Sequence, residues 1–274
     1  MYTYTVTKEV KMKRIGIIGG MSYESTLHYY ERINRQVNER AGGLTSADLV
    51  LRSVNFEEYH ELMEKGDWRT IGRLLRAAAR NLFLENQCNY VAIATNTMHK
   101  VAEYIAEPYT WMQHTGARAI RVEIPLVHIG DCIAEKCKKE GIQRVALLGT
   151  RFTMTDDFMK KRLRDNGLEV IDTFKKSEID EIDRIIFDEL CHGIVKPESE
   201  NRLLNITANA DDRDMDNGGT GIDGFILGCT ELEMLFSGEP YFFIKPRHEH
   251  HYKFINSTQA HIDKIVELCL EDTE

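Results

Sequence analysis

The sequence has 274 residues, with 35 Lys and Arg against 44 Asp and Glu, which gives a formal net charge of −9. Hydrophobic residues make up 42% and charged residues 29%, so the composition is that of a folded globular protein and excludes a disordered chain. The acidic balance argues against a general nucleic-acid binder or anionic-membrane binder, because both need concentrated Lys and Arg. At roughly 100–200 residues per domain, the length predicts one large domain or two of ordinary size.

Neither a membrane span nor a disulfide scaffold is expected. No stretch approaches the ~18 consecutive apolar residues of a transmembrane helix, and the N-terminus lacks the apolar run of a signal peptide. The 6 cysteines are too few for a disulfide scaffold, and they form no CxxC pair or Cys/His cluster with zinc spacing. We therefore expect a cytoplasmic protein with reduced thiols and no bound metal.

Short apolar runs alternate with helical patterns along the first half. Strands are predicted at residues 14–20 (RIGIIGG), 48–54 and 90–94. Helices are predicted at residues 23–39, at residues 68–86 and from Thr97 onward. This alternation of strands with helices of roughly 10–20 residues indicates an α/β fold with a mainly parallel sheet and right-handed crossovers.

The same pattern then restarts in the second half. Residues 144–149 (RVALLG) have the shape of residues 14–19, and residues 224–229 (GFILGC) have the shape of residues 90–95. Thr95 follows Gly19 by 76 residues, and Cys229 follows Gly149 by 80. The nearly equal spacing favours an internal duplication, although any two α/β domains share some of this spacing.

The predicted fold is therefore two pseudo-symmetric three-layer α/β domains with mainly parallel sheets and the active site between them. The first domain comprises residues 12–116 and 236–274, whose final helix returns to it, and the second comprises residues 117–235. Residues 1–11 form an N-terminal extension. The acidic, glycine-bearing stretch 209–220 (NADDRDMDNGGT) is expected to be a surface loop or insertion.

Polar residues follow the predicted strands at their carboxyl ends, where open α/β sheets bind ligands. Cys229 ends an apolar strand at the start of a predicted helix, where unpaired backbone N–H groups and the helix dipole lower the pKa of a thiol. Thr230 and Glu233 form a capping-box pattern that supports this helix start. A buried structural cysteine is the alternative reading of Cys229. The other five cysteines, Cys191 among them, are expected to be packing residues.

Four motifs, taken in chain order, resemble the aspartate/glutamate racemase family, a PLP-independent group. They are IGIIGGMSYEST with YYERIN, then ATNTMH, LLGTRFTM and ILGCTEL. The resemblance runs from about Met12 to Leu235, and INSTQAHIDKIVEL near the C-terminus is similar to the family's closing helix. It implies two pseudo-symmetric α/β domains with the site between them, no cofactor and a homodimer.

The resemblance also implies a two-base mechanism on a free amino acid. One residue removes the Cα proton from one face, and a second delivers a proton to the other. In the family both turns usually carry cysteine, and Cys229 matches the second. Thr95 stands where the first cysteine is usual, while Asn96, Thr97 and His99 keep the rest of that motif. A threonine hydroxyl is a much weaker acid than a thiol. The replacement of cysteine by Thr95 is therefore expected to affect the rate, reversibility and direction of racemisation.

The expected substrate is a small anionic amino acid, aspartate or glutamate. The residues expected to bind its α-carboxylate lie at the strand-end turns: Ser22, Asn96, Thr97, Thr150 and Thr230. Met21, which precedes Ser22, is also expected to contact the substrate. A second carboxylate needs cations, because a buried anion without a partner is costly. The resemblance implies Arg52 and Lys196 for this role. If neither points into the cleft, a neutral amino acid becomes possible.

Two other functions fit the same residues. One is a decarboxylase or cis–trans isomerase of the same superfamily that uses Cys229 alone, and the other is a non-catalytic amino-acid-binding protein. His99 could orient the substrate or assist proton transfer, or it could be a packing residue at a helix start. The tract at residues 248–251 (HEHH) looks like a metal motif but is expected to be a solvated loop.

Overall fold

The computed structural model describes residues 12–112, 119–236 and 252–271. The strands, in chain order, are β1 Ile15–Gly19, β2 Leu49–Ser53, β3 Tyr90–Ile93, β4 Tyr109–Met112, β5 Ala119–Val122, β6 Leu126–Val127, β7 Arg144–Leu148, β8 Glu169–Val170, β9 Gly224–Leu227 and β10 Lys253–Asn256. The α-helices are α1 Tyr23–Ala41, α2 Phe56–Glu64, α3 Trp68–Arg80, α4 Ala102–Ala106, α5 Ile129–Lys139, α6 Arg151–Thr155, α7 Asp157–Asp165, α8 Lys176–Asp188, α9 Pro197–Asp216 and α10 Ser257–Leu270. Short 3₁₀ helices occupy Thr97–Val101, Leu190–His192 and Thr230–Met234, and a π-helical turn, Asn81–Glu85, continues α3.

The described strands form two parallel four-stranded sheets and one antiparallel hairpin of β4 and β5. Sheet A has the order β2-β1-β3-β6, and sheet B has the order β8-β7-β9-β10. All pairings within the two sheets are parallel. The two orders correspond strand for strand along the chain, so the topology agrees with a duplicated unit. The predicted α/β fold with two mainly parallel sheets is confirmed.

Helices cover both faces of each sheet, which explains the nearly continuous apolar strands. In β1, Ile15 and Ile17 point into a core shared with α1, α5 and α10, while Ile18 points into a core with α2 and α3. In β7, Leu147 joins the shared core and Leu148 faces α8 and α9. Side chains alternate between the faces of a strand, so a strand buried on both faces must be apolar throughout.

Two predicted domain limits do not coincide with the limits of the two sheets. The boundary at 116/117 falls before the end of sheet A, because β6 pairs with β3. The C-terminal segment, expected to return to the first domain, instead contributes β10 to sheet B beside β9. Helix α10 then packs against both α1 and α5. The C-terminal segment therefore ties the two sheets together rather than closing one of them.

The loop expected at residues 209–220 is also wrong, because most of it is the last part of α9. Two of its acidic residues, Asp211 and Asp214, are buried and bonded to the protein, whereas Asp216 is exposed. The carboxylate of Asp211 accepts a hydrogen bond from the backbone N–H of Ile222 at 2.7 Å, and that of Asp214 pairs with Arg144 at 2.9 Å. Leu203 and Ile206, upstream of the stretch that looked aperiodic, and Ala210 at its start give the helix an apolar stripe.

None of the described helices is long and apolar enough to cross a membrane. Within the described ranges there is also no group of three or more His, Cys, Asp or Glu side chains placed to hold a metal ion. The HEHH tract at 248–251 and the N-terminal residues 1–11 lie outside the described residues.

Candidate active site

Two glycine turns shape the ends of β1 and β9. Gly20 has a φ of +95°, and a Cβ there would come within 2.3 Å of the backbone oxygen of Val54. A Cβ on Gly228 would come within 2.8 Å of the backbone oxygen of Leu148. Only glycine fits these two close approaches without displacing backbone. Gly20 directly precedes Met21, and Gly228 directly precedes Cys229. The two glycines therefore help to set the backbone positions of Met21 and Cys229.

One pocket between the sheets contains Thr95, which follows β3 of sheet A, and Cys229, which follows β9 of sheet B. Its cavity volume is about 20 Å³, room for about one water molecule. Its lining residues are Met21, Phe56, Met63, Thr95, Thr97, Met98, Thr150, Ile186, Phe187, Cys191, Cys229 and Glu231. Two larger cavities lie elsewhere, one between α5 and α10 and one beside His128, and neither contains these two residues. We assign the candidate site to the smaller pocket because it brings the hydroxyl and the thiol together.

The buried carboxylate of Glu231 collects three hydrogen bonds at the second turn. Its Oε2 accepts from the Cys229 thiol at 2.9 Å and from the Thr230 hydroxyl at 2.7 Å. Its Oε1 accepts from the Ser22 hydroxyl at 2.7 Å, and Ser22 belongs to the turn after β1. Glu231 therefore links the two halves of the molecule and directs the thiol proton of Cys229 toward a carboxylate.

The pKa of the Cys229 thiol is raised, whereas a lowered pKa was predicted from the sequence. Burial raises the pKa of Cys229 well above its ordinary value, and the neighbouring Glu231 carboxylate raises it further. The helix that follows is a short 3₁₀ turn, and the desolvation of a buried thiolate outweighs its dipole. The resting form at neutral pH is therefore the thiol, hydrogen bonded to Glu231.

The predicted capping box of Thr230 and Glu233 is absent. The Thr230 hydroxyl donates to Glu231 instead, and the Glu233 carboxylate pairs with Arg32 of α1 at 2.7 Å and accepts a hydrogen bond from Asn256. Glu233 thus binds two other parts of the chain rather than the start of its own helix. A short-range sequence pattern could not reveal partners that lie far away in the chain.

The model of the Asp/Glu/Hydantoin racemase family matches residues 18–265. The chain belongs to the Asp/Glu/Hydantoin racemase family. The resemblance read from the sequence motifs is thereby confirmed, and the family supports an amino-acid racemase-type function.

Solved structures agree with this membership. A candidate Asp/Glu racemase from Yersinia pestis is 34% identical, with a TM-score of 0.75 over 95% of this chain and 100% of that chain. An aspartate racemase homologue from Pyrococcus horikoshii OT3 is 32% identical, with a TM-score of 0.69 and the same coverage, 95% and 100%. An aspartate racemase from Picrophilus torridus is 17% identical, with a TM-score of 0.58 over 93% of each chain, and this likeness shows the fold.

Threonine hydroxyls bridge the two halves of this racemase-family protein at the pocket wall. The Thr97 hydroxyl lies 3.2 Å from that of Thr150 and 3.4 Å from that of Thr153. Thr97 follows β3, whereas Thr150 caps α6 after β7. Such hydroxyls can turn either donor or acceptor toward a ligand, which suits binding of an amino acid's charged ends.

The remaining predicted site residues do not line the pocket. Ser22 and Thr230 lie behind it as donors to Glu231, and Asn96 donates to the Ser257 hydroxyl at 3.0 Å. Arg52 is exposed on β2, and Lys196 is half-exposed and pairs with Glu189 at 3.3 Å. Among the described lining residues, the only charged side chain is that of Glu231. The two cations expected to bind a second carboxylate are therefore not part of this wall.

Two residues of the pocket with reactive side chains were missed by sequence reasoning. No role was assigned to Glu231 from the sequence, although a carboxylate two positions after Cys229 is a signal that could have been read. Cys191 was assigned to packing, yet its side chain lines the pocket, and burial raises the pKa of its thiol. Nothing local in the sequence around Cys191 indicates this position, because it depends on how α8 packs.

Proposed function

We propose that this protein is a cofactor-independent amino-acid racemase in which Thr95 and Cys229 act on opposite faces of the substrate Cα. The observation that supports this most is their common pocket: the two side chains reach it from corresponding strand ends of two topologically equivalent sheets. Inversion without release of the carbanion needs one proton donor or acceptor on each face.

Cys229 and Glu231 would act together on one face. A thiolate at this buried position is costly, so proton transfer from the thiol to Glu231 is best coupled to substrate binding, when the ammonium group brings a positive charge into the pocket. Glu231 is 2.9 Å from the thiol sulfur, within reach of direct transfer. The thiolate would then remove the Cα proton, and in the reverse direction the thiol would return it.

Thr95 would act on the other face. Its hydroxyl is less acidic than a thiol, so this half-reaction is expected to be the slower one. The Thr97 and Thr150 hydroxyls, at 3.2 Å from one another, would bind the α-carboxylate and help to stabilise the developing negative charge. Water-poor surroundings from Met21, Met98 and Phe187 would strengthen these interactions.

Aspartate and glutamate are the substrates that the family and the relatives' names suggest. A second candidate is an amino acid with a neutral side chain. It is favoured by the apolar lining from Phe56, Met63 and Ile186, and by the positions of Arg52 and Lys196 outside the described wall. A homodimer and a cytoplasmic location remain predictions.

The function is tested by incubating the purified protein with single L- and D-amino acids in D₂O without added cofactor. NMR follows Cα deuteration, and chiral chromatography follows the enantiomers. A racemase deuterates Cα and produces the opposite enantiomer while total amino acid stays constant. Release of CO₂ with loss of substrate would instead indicate the single-cysteine decarboxylase. Binding without exchange, in the wild type and in Thr95→Cys alike, would indicate a non-catalytic binding protein.

A further inference from the structure

His99 lies directly behind the Thr95 turn and is almost fully buried. Its Nδ1 is 2.8 Å from the backbone carbonyl oxygen of Thr95. Its Nε2 is 3.2 Å from the backbone nitrogen of Ile129, the first residue of α5. One imidazole ring therefore connects the candidate proton donor's backbone to the start of a core helix.

These two contacts fix the form of the His99 ring. A carbonyl oxygen only accepts hydrogen bonds, so Nδ1 must carry the hydrogen. A backbone N–H only donates, so Nε2 must present its lone pair. Both nitrogens are used, and the ring is neutral. His99 therefore has no free nitrogen with which to transfer a proton to or from a substrate.

Neighbouring histidines pack around this ring. The ring centres of His128 and His261 lie 4.6 Å and 5.9 Å from that of His99. His261 makes a comparable pair of bonds elsewhere, to the carbonyl oxygen of Val127 at 3.0 Å and to the hydroxyl of Tyr29 at 2.9 Å. His261 thus shares the buried surroundings of His99 without a bond to Thr95.

We propose that His99 is a positioning residue that sets the direction of the Thr95 hydroxyl by holding the Thr95 carbonyl. This inference rests on the proposed role of Thr95. The side chain of threonine is stiff about its single χ1 bond, so the position of its hydroxyl follows the orientation of the backbone. Misplacing a reacting group by about 1 Å can cost roughly 100-fold in rate. A fixed carbonyl therefore has a catalytic consequence, although His99 does not touch the substrate.

The chain allows a matched pair of substitutions at this position. In His99→Asn the amide nitrogen occupies roughly the place of Nδ1 and can keep the bond to the Thr95 carbonyl. In His99→Gln the amide group reaches the place of Nε2 and can keep the bond to Ile129 instead. His261→Asn is the control, because it disturbs the same buried cluster without a bond to Thr95.

The measurement is Cα–H exchange in D₂O for the L- and D-enantiomers separately, together with the thermal midpoint of each variant. Thr95→Ala first identifies the enantiomer whose exchange depends on Thr95. We expect His99→Gln to slow that enantiomer by about 100-fold and to leave the other within about twofold. His99→Asn should stay within about fivefold of wild type for both enantiomers, and His261→Asn should lower the midpoint without changing their ratio.

Equal slowing of both enantiomers by His99→Gln, or equal rates in His99→Gln and His99→Asn, would overturn the positioning role. If His99→Gln does not fold, His99→Ala, which also lacks the bond to the Thr95 carbonyl, takes its place: a one-sided loss relative to His261→Ala supports the role, and an unchanged enantiomer ratio refutes it. A failure of the proposed function looks different, because Thr95→Ala itself would then leave the exchange of both enantiomers unchanged.

Discussion

The turn after β3 and the turn after β9 occupy equivalent places in the two sheets but carry different chemistry. At the second turn, Cys229 is followed two positions later by Glu231, which accepts its thiol hydrogen bond at 2.9 Å. At the first, Thr95 is followed two positions later by Thr97, whose hydroxyl lies 3.2 Å from that of Thr150. One half thus has a carboxylate beside its proton carrier, and the other has a hydroxyl.

A duplicated backbone therefore need not duplicate reactivity. The fold supplies two opposed positions, and the residues two places further along set how easily each position loses a proton. At the second turn the proton has a carboxylate to go to. At the first, the described structure supplies hydroxyl groups and a carbonyl held by His99. An enzyme with these two turns should treat the two enantiomers unequally.

The largest expected effect comes from removing the carboxylate at the second turn. Glu231→Gln should slow exchange of the enantiomer handled by Cys229 by about 10²–10⁴-fold, because general-base assistance is lost. Enantiomer-resolved exchange in D₂O measures it. Glu233→Gln is the matched control in the same 3₁₀ helix, since its carboxylate binds Arg32 rather than the thiol. Equal effects of the two substitutions would show that Glu231 has only a structural role.

A smaller effect should follow from making the turns alike. Thr95→Cys places a more acidic group at the first turn and should speed exchange of the Thr95-dependent enantiomer by about tenfold, which corresponds to a barrier about 1.4 kcal/mol lower. Initial rates with each enantiomer would measure this. A slower reaction for that enantiomer would mean that the hydroxyl group itself, rather than the acidity of the residue at position 95, determines the rate at the first turn.

The last prediction concerns stability in acid rather than exchange rates, and it tests the buried histidines behind the first turn. Burial lowers the pKa of His99 to about 4, that of His261 to about 3 and that of His128 to about 2. Unfolded histidine titrates near pH 6.5, so between pH 6.5 and 4 the unfolded chain binds more protons than the folded one. The stability contributed by these neutral histidines is complete above pH 6.5 and falls as the pH decreases, by about 1.4 kcal/mol per pH unit for each.

Urea unfolding between pH 7 and pH 4.5 tests this sign. His99→Asn should flatten the fall in the free energy of unfolding, whereas replacing the exposed His192 by Gln should leave the curve as in wild type. A free energy of unfolding that rises as the pH is lowered through this window would contradict the neutral, buried state assigned to the three histidines.

Local patterns in the sequence were sufficient to predict the α/β fold and part of the candidate site. Apolar runs ended by glycine identified β1, β7 and β9, because such strands are buried on both faces. The runs of β3 and β9 placed Thr95 and Cys229 at equivalent strand ends. These features depend on neighbours in the chain, which is why they could be read directly.

Features that depend on distant partners could not be read in this way. The acidic part of α9 looked like a loop because the partners of Asp214, among them Arg144, are remote in sequence. The raised pKa of Cys229 depends on complete burial between two sheets. The positions of Arg52 and Lys196 depend on how strand and helix ends are oriented relative to the pocket. The family pattern suggested that both bind a second substrate carboxylate, but neither residue lines the described pocket.

The most direct test of two opposed proton carriers is the pair Thr95→Ala and Cys229→Ala, with Cα–H exchange of L- and D-substrate measured separately in D₂O. If Thr95 and Cys229 act on opposite faces, the losses are complementary: each variant stops exchange of one enantiomer and still exchanges the other with retention of configuration, while neither interconverts them. Near-normal interconversion by Thr95→Ala, or loss of the same enantiomer in both variants, would contradict it.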